Sequence, residues 1–439
     1  MGRDNSWRNA SDATLTNSRR RFLKTAAGGS VGLSAMLAGC SGNGNGNGGN
    51  GGGNGGDSET ITIGDLSPRS GPNALYGTPM HNSAQLAVEE MNENGGLLGR
   101  EVELVDPDPQ SDTGVYQEQA RRLILEDQVD VLMGGVTSAS REAMRPTISE
   151  NQQLYFYPAL YEGGVCDEYI HLTGPTPSQQ MLPLVQYMVE EFGTEVYTIA
   201  ADYNFGQISA RWAERYVGNE GGEIIGEEFI PLDVSDHGST INNIQDADPD
   251  WIMSLIVGSN HVPFYSQAES SGLNKPMAST VSIGSAYEHI TVDPPALESM
   301  YTAWNYMEEI PTDANEDFVS RYRERFPETE YLNQHGFSHY VSYKLYEMAV
   351  EEAGTVEMPE VNDVLESGLS ISTAAGELSL DPATHHLSHN IYLAEVGEDH
   401  SINFLDTTEN VEPEWLRERC SLDTESTWDD PTSEFFTDV

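Results

Sequence analysis

Four short segments of this 439-residue chain bring small hydroxyls and aromatic rings to places where an α/β protein presents them to a ligand. Thr137-Ser138-Ala139-Ser140 follows the apolar run Val131 to Val136 and opens a helix, so the Ser138 hydroxyl and nearby backbone N–H groups are positioned to donate to a carbonyl or carboxylate oxygen. Thr137 is equally readable as a plain helix cap. Tyr157-Pro158-Ala159-Leu160-Tyr161 follows the next strand, and tyrosine offers a flat apolar face with one hydroxyl, suited to a small planar polar solute. Core packing is the other reading of Tyr157 and Tyr161. Asp202-Tyr203-Asn204-Phe205-Gly206 and Ser282-Ile283-Gly284-Ser285 lie after later strands, where parallel sheets bind their ligands. None of the four contains lysine, and Arg141 is the nearest arginine. A box built from Thr137, Ser138, Tyr157, Tyr161, Tyr203, Phe205 and Ser282 favours a neutral ligand held by hydrogen bonds.

Catalytic patterns are missing from the sequence. No H-E-x-x-H, G-x-x-x-x-G-K-[ST] or C-x-x-C occurs, and the one G-x-S-x-G match, Gly28 to Gly32, lies in a segment read below as a signal. His385, His386 and His389 have spacing that allows a metal, but adjacent histidines in a strand point to opposite faces, so they read as ordinary histidines. No catalytic residue, metal or cofactor is expected.

The elements that must position these residues are legible from Ile61 onward, where β-rich runs alternate with helical-period segments, the sign of βαβ units and parallel sheets. Strands are expected at 61–64, 101–105, 129–133 and 154–157, with helices near 76–94, 115–125 and after 138. The alternation restarts after 169–174, with strands at 196–200, 224–230, 251–256 and 279–283 and helices near 180–191 and 205–217. Two such series in a chain of this length predict two lobes. The first comprises residues 60–172 and returns at 304–357; the second comprises 173–303 and returns at 358–415; an acidic tail spans 416–439.

Ser18-Arg19-Arg20-Arg21-Phe22-Leu23-Lys24 fits a twin-arginine export signal, followed by an apolar stretch too short and Gly-rich to span a membrane. Leu37-Ala38-Gly39-Cys40 then reads as a lipobox, with Cys40 carrying lipid. The Gly/Asn-rich run 40–59 is a tether. Cleavage before Cys40 removes six basic and two acidic residues and takes the formal charge from -50 to -54. A surface that acidic disfavours nucleic acid, and with Lys275 and Lys344 the only lysines past residue 39 it points to a salt-loving source. Outside the cell Cys166 and Cys420 are free to pair or to stay reduced.

Taken in order, Thr137 to Arg141, Tyr157-Pro158 with Tyr161-Glu162-Gly163, Thr173 to Gln180, Asp202-Tyr203, Ala303 to Tyr306 and His385-His386 resemble receptors for urea and short-chain amides over roughly residues 60–409. The resemblance implies a type I periplasmic-binding fold: α/β, with two Rossmann-like lobes around a cleft and hinge crossovers. It implies a lipid-anchored monomer that hands a small neutral solute to the permease and ATPase subunits of an ABC importer. Ligand contacts carried over from it fall on Ser138, Tyr157, Tyr203 and Ser282, with Phe205 at an often aromatic position. Urea receptors commonly hold a cysteine where Cys166 stands, which weighs against its pairing with Cys420. This chain departs from the resemblance at Gly284 and Ser285, where relatives often carry a glutamate. A receptor for branched-chain or other small amino acids, with Asp202 or Glu288 facing an ammonium group, and an amide-sensing regulator are the alternatives.

Overall fold

A computed structural model describes residues 60–257 and 261–417 together with Cys420 and Leu422. The twin arginines Arg19 and Arg20, Cys40, the tether and most of the C-terminal tail lie outside the described residues.

The first series runs β1 (Ile61–Leu66), α1 (Ala74–Glu93), β2 (Val102–Val105), α2 (Thr113–Leu125), β3 (Val131–Gly134), α3 (Ser138–Asn151), β4 (Tyr155–Tyr157) and β5 (Ile170–Leu172). Its strands form one parallel sheet in the order β2-β1-β3-β4-β5. The inner strands are apolar on both faces because helices cover both, and β3 and β4 are buried throughout.

The second series runs α4 (Pro177–Phe192), β6 (Glu195–Ala201), α5 (Asn204–Asn219), β7 (Glu223–Ile230), α6 (Gly238–Ala247), β8 (Trp251–Leu255), α7 (His261–Ser270), β9 (Met277–Ser279), α8 (Glu288–Thr291) and β10 (Met300–Trp304). There follow α9 (Asp313–Arg325), α10 (Gln334–Ala353), α11 (Met358–Leu365), the hairpin β11 (Ser370–Thr373) and β12 (Gly376–Ser379), then β13 (His389–Val396), β14 (Ile402–Val411) and α12 (Glu414–Arg417). The second sheet has the order β14-β13-β10-β9-β8-β6-β7, and β13 and β14 join it antiparallel.

The chain passes between the lobes three times: after β5, after β10, and before β13. α10 lies along α1 in the first lobe, and its burial on nearly every face explains why it shows little amphipathic pattern. The third passage comes later than the expected boundary at 358. α11 packs on α10, and the His171 ring nitrogen lies 2.8 Å from the Asn362 side-chain oxygen. The Leu172 amide then donates to His385 O and the Leu387 amide to Leu172 O, so residues 385–387 extend the first sheet before β13 enters the second. The expected strand 279–283 is likewise corrected. β9 ends at Ser279, whose hydroxyl accepts from the amides of Val281 and Ser282 and turns the chain.

Cys166 and Cys420 are joined, bridging 254 residues of chain. The bond fastens the loop after β4 to the segment after α12, whose last residue, Arg417, also pairs with Asp381 at 2.8 Å. The expected tail therefore begins as anchored structure.

Candidate functional site

A cavity of about 50 Å³ lies between the lobes. Its walls come from the carboxyl ends of parallel strands in both sheets, the place where open α/β sheets bind ligands. Asn73 and Tyr76 follow β1, Val136 to Ser138 follow β3, and Leu160 follows β4; Tyr203 and Phe205 follow β6, Val257 follows β8, and Val281 and Ser285 follow β9. His335, in the first turn of α10, completes it.

Backbone close to these turns is glycine for steric reasons. Gly134 and Gly135 adopt φ of 106° and 91°, and a Cβ at Gly134 would meet the Leu66 backbone at 2.9 Å. A Cβ at Gly206 would come within 2.0 Å of Ala201 O, so only glycine lets α5 start directly on the end of β6. That close start places Tyr203 and Phe205, whose rings lie 5.9 Å apart, at the cavity.

Helix N-termini converge there. Thr137 caps α3 by accepting the Ser140 amide, while the amides of Ser138 and Ala139 have no partner within the helix. Tyr203, Asn73 and Asn333 occupy the corresponding positions of α5, α1 and α10. The cavity thus meets the positive ends of four helices, favourable for an electronegative oxygen. None of its lining residues carries a formal charge. His335 is buried, and burial pushes its imidazole down to about 3, so it is neutral at ordinary pH, with its Nδ1 3.3 Å from the Ser285 hydroxyl.

Four expected site residues line the cavity: Thr137, Ser138, Tyr203 and Phe205. The other three lie outside its lining, because each hydroxyl has a structural partner. Tyr157 donates to Val136 O at 2.9 Å, Tyr161 bonds to the His386 ring, and Ser282 lies 2.7 Å from the Tyr265 hydroxyl. The expected role of the Ser138 hydroxyl also changes, for it donates to the buried carboxylate of Glu162 rather than being free to donate to a ligand. His386 is taken up by Tyr161 and Thr384 O, and His385 stacks on His171 at 4.3 Å. Among the described residues no group of three or more histidine, cysteine or acidic side chains is arranged to hold a metal.

Sequence reasoning missed Asn73, Tyr76, Val257, Val281 and His335. Asn333-Gln334-His335-Gly336 carried a usable signal: an N-cap asparagine, whose side chain accepts the Gly336 amide. A helix started at Asn333 would have placed His335 in its first turn. Asn333 also ties the lobes, donating to Leu75 O at 3.2 Å and Ser285 O at 3.1 Å, and the Gln334 amide donates to Gly284 O at 2.8 Å.

The periplasmic binding protein family matches residues 60–401, most of the chain. The chain belongs to that family. The members of that family and the neighbours in fold are solute-binding proteins, not enzymes. Among curated relatives, Leu/Ile/Val-binding protein homolog 7 of Brucella melitensis is 25% identical over 331 residues, covering 70% of this chain and 81% of the relative. Homolog 6 from the same organism is 22% identical over 352 residues, covering 78% and 88%. The fold matches a solute-binding protein of an ABC transporter from Rhodopseudomonas palustris in complex with 3,4-dihydroxybenzoic acid, with a TM-score of 0.75, 20% identity, and coverage of 81% of this chain and 99% of that one. A branched-chain amino acid transporter substrate-binding protein from Streptococcus pneumoniae in complex with isoleucine matches with a TM-score of 0.71 and 21% identity, covering 79% and 99%. Among the described residues no helix is long and apolar enough to cross a membrane.

Proposed function

We propose that the cleft captures urea or a short-chain amide and presents it to the permease and ATPase subunits of an ABC importer. The observation that carries this reading is a cavity between the lobes without a charged side chain in its lining. The carbonyl oxygen of an amide meets helix N-termini and backbone amides, and its N–H groups meet hydroxyl oxygens and the neutral imidazole of His335.

A branched-chain amino acid is the second reading, favoured by the Leu/Ile/Val-binding relatives. Its carboxylate suits the same helix ends, but its ammonium group needs a carboxylate. Asp202 is exposed and accepts from Gln207, and Glu288 is occupied by the His261 ring and the Ile283 amide. Neither lines the cavity. A cytoplasmic amide sensor fits less well, since Arg19, Arg20 and Cys40 read as an export signal and a lipid anchor on the outer face of the membrane. The working unit is a monomer.

Thermal unfolding of the mature protein in molar potassium chloride with each solute tests the reading, because a ligand that binds the folded state raises the midpoint with concentration. Urea or an amide should raise it at micromolar to millimolar concentration. A rise with isoleucine and none with any amide would transfer the function to the second reading.

A further inference from the structure

Ser138 reaches the cavity, yet its hydroxyl proton is already used. It donates to a carboxylate oxygen of Glu162, which is only 2% exposed and can accept but not donate while ionised. Glu162 is held in place from three sides. The Arg141 guanidinium lies 3.7 Å from its other oxygen, and that guanidinium is itself sandwiched by Glu142 at 3.0 Å and by the Tyr157 and Tyr161 rings at 5.0 and 4.6 Å. The Glu162 carbonyl accepts from the Trp212 indole N–H at 2.9 Å, which fixes the residue against α5 of the other lobe. A buried carboxylate normally costs several kcal/mol in solvation, and the adjacent buried arginine offsets that cost.

We propose that Glu162 determines specificity by taking the Ser138 proton, leaving Ser138 as an acceptor only, so that the cleft selects solutes that present an N–H donor to it. This rests on the amide reading above and deepens it, since backbone amides then serve the solute's oxygen and Ser138 its nitrogen. Glu162 acts through Ser138 and is a positioning residue. Tyr157 and Tyr161, expected from the sequence to stand against the solute, act one layer back by packing on Arg141.

Acetamide and acetone, both neutral and alike in size and shape but differing in the N–H donor, provide the test by calorimetric titration against the wild type, Glu162→Gln and Ser138→Ala, with folding followed by circular dichroism. The wild type should prefer acetamide by at least about tenfold, the worth of one such hydrogen bond. In Glu162→Gln the new amide donates to Ser138 and frees the hydroxyl proton for the cavity, so the preference should fall at least about tenfold or invert. Ser138→Ala should lose the preference without inverting it. An unchanged ratio in a folded Glu162→Gln protein, or in Ser138→Ala should the former not fold, overturns the assignment. A wild type that binds isoleucine and neither acetamide nor urea overturns the amide reading alone, and Glu162 is then read from the ratio of isoleucine to 3-methylpentanoate. A wild type that binds none of these overturns both.

Discussion

Tyr203 and His335 frame the cavity from opposite lobes, and each makes a measurable claim. Tyr203 stands at the start of α5 and is only partly buried, so Tyr203→Ala should weaken solute binding at least about tenfold in calorimetry while leaving the unfolding midpoint nearly unchanged. An unaltered affinity would remove Tyr203 from the site. His335, His386 and His389 are all buried, and burial pushes each down to about 3. In the folded protein they stay neutral to about pH 3, whereas the unfolded chain protonates them below about 6.5. The unfolded state therefore gains protons first. The stability they contribute is fully present above about pH 6.5 and is lost as pH falls toward 3. Asp65 and Glu288 act in the same direction, because although burial raises each carboxyl, the neighbouring histidine and the hydrogen bonds it receives together lower it. Glu162, raised by burial against the pull of Arg141, acts in the opposite direction and offsets part of the loss. The thermal midpoint in constant molar salt should fall steeply across that window; a flat profile would contradict the burial of these rings.

Among the elements, the Cys166–Cys420 bond closes a loop of 254 residues. Loop-closure entropy for a length of that order gives a stabilisation of about 5 kcal/mol. Cys166→Ser with Cys420→Ser should lower the thermal midpoint by several degrees, and a midpoint equal to the wild type's would show that the bond does not form. The pairing was not legible in the sequence, where two cysteines so far apart carry no register and the resemblance pointed away from it. The βα alternation was legible because parallel strands buried on both faces leave plain apolar runs, as in Val131 to Val136. The return of α11 to the first lobe was hidden, since its partners His171 and α10 are distant in sequence. The site was half legible: Thr137, Ser138, Tyr203 and Phe205 stand directly after strands, where position alone marks them. Tyr157, Tyr161 and Ser282 stand at similar positions, but their hydroxyls turn to Val136, His386 and Tyr265, a choice made by packing that no spacing records.

For the whole molecule, charge dominates. With 71 acidic and 21 basic residues, the chain repels itself, and the ion pairs in which the lysines take part, Lys275 with Asp248 and Lys344 with Glu347, neutralise little of it. Salt at molar strength shortens the screening length to about 3 Å and removes that repulsion. The thermal midpoint should rise continuously with potassium chloride up to molar concentrations; a midpoint that is independent of salt would show that the acidic surface is not an adaptation to it. Three chain passages and the contacts of Asn333 and Glu162 join the lobes, so closing on a solute requires only that the solute bind the closed form better than the open one. The measurement that tests this account most directly is calorimetric titration of the mature protein in molar potassium chloride with urea, acetamide, formamide and isoleucine. Saturable binding of urea or an amide, with isoleucine silent, is the predicted result; saturable binding of isoleucine alone would contradict it.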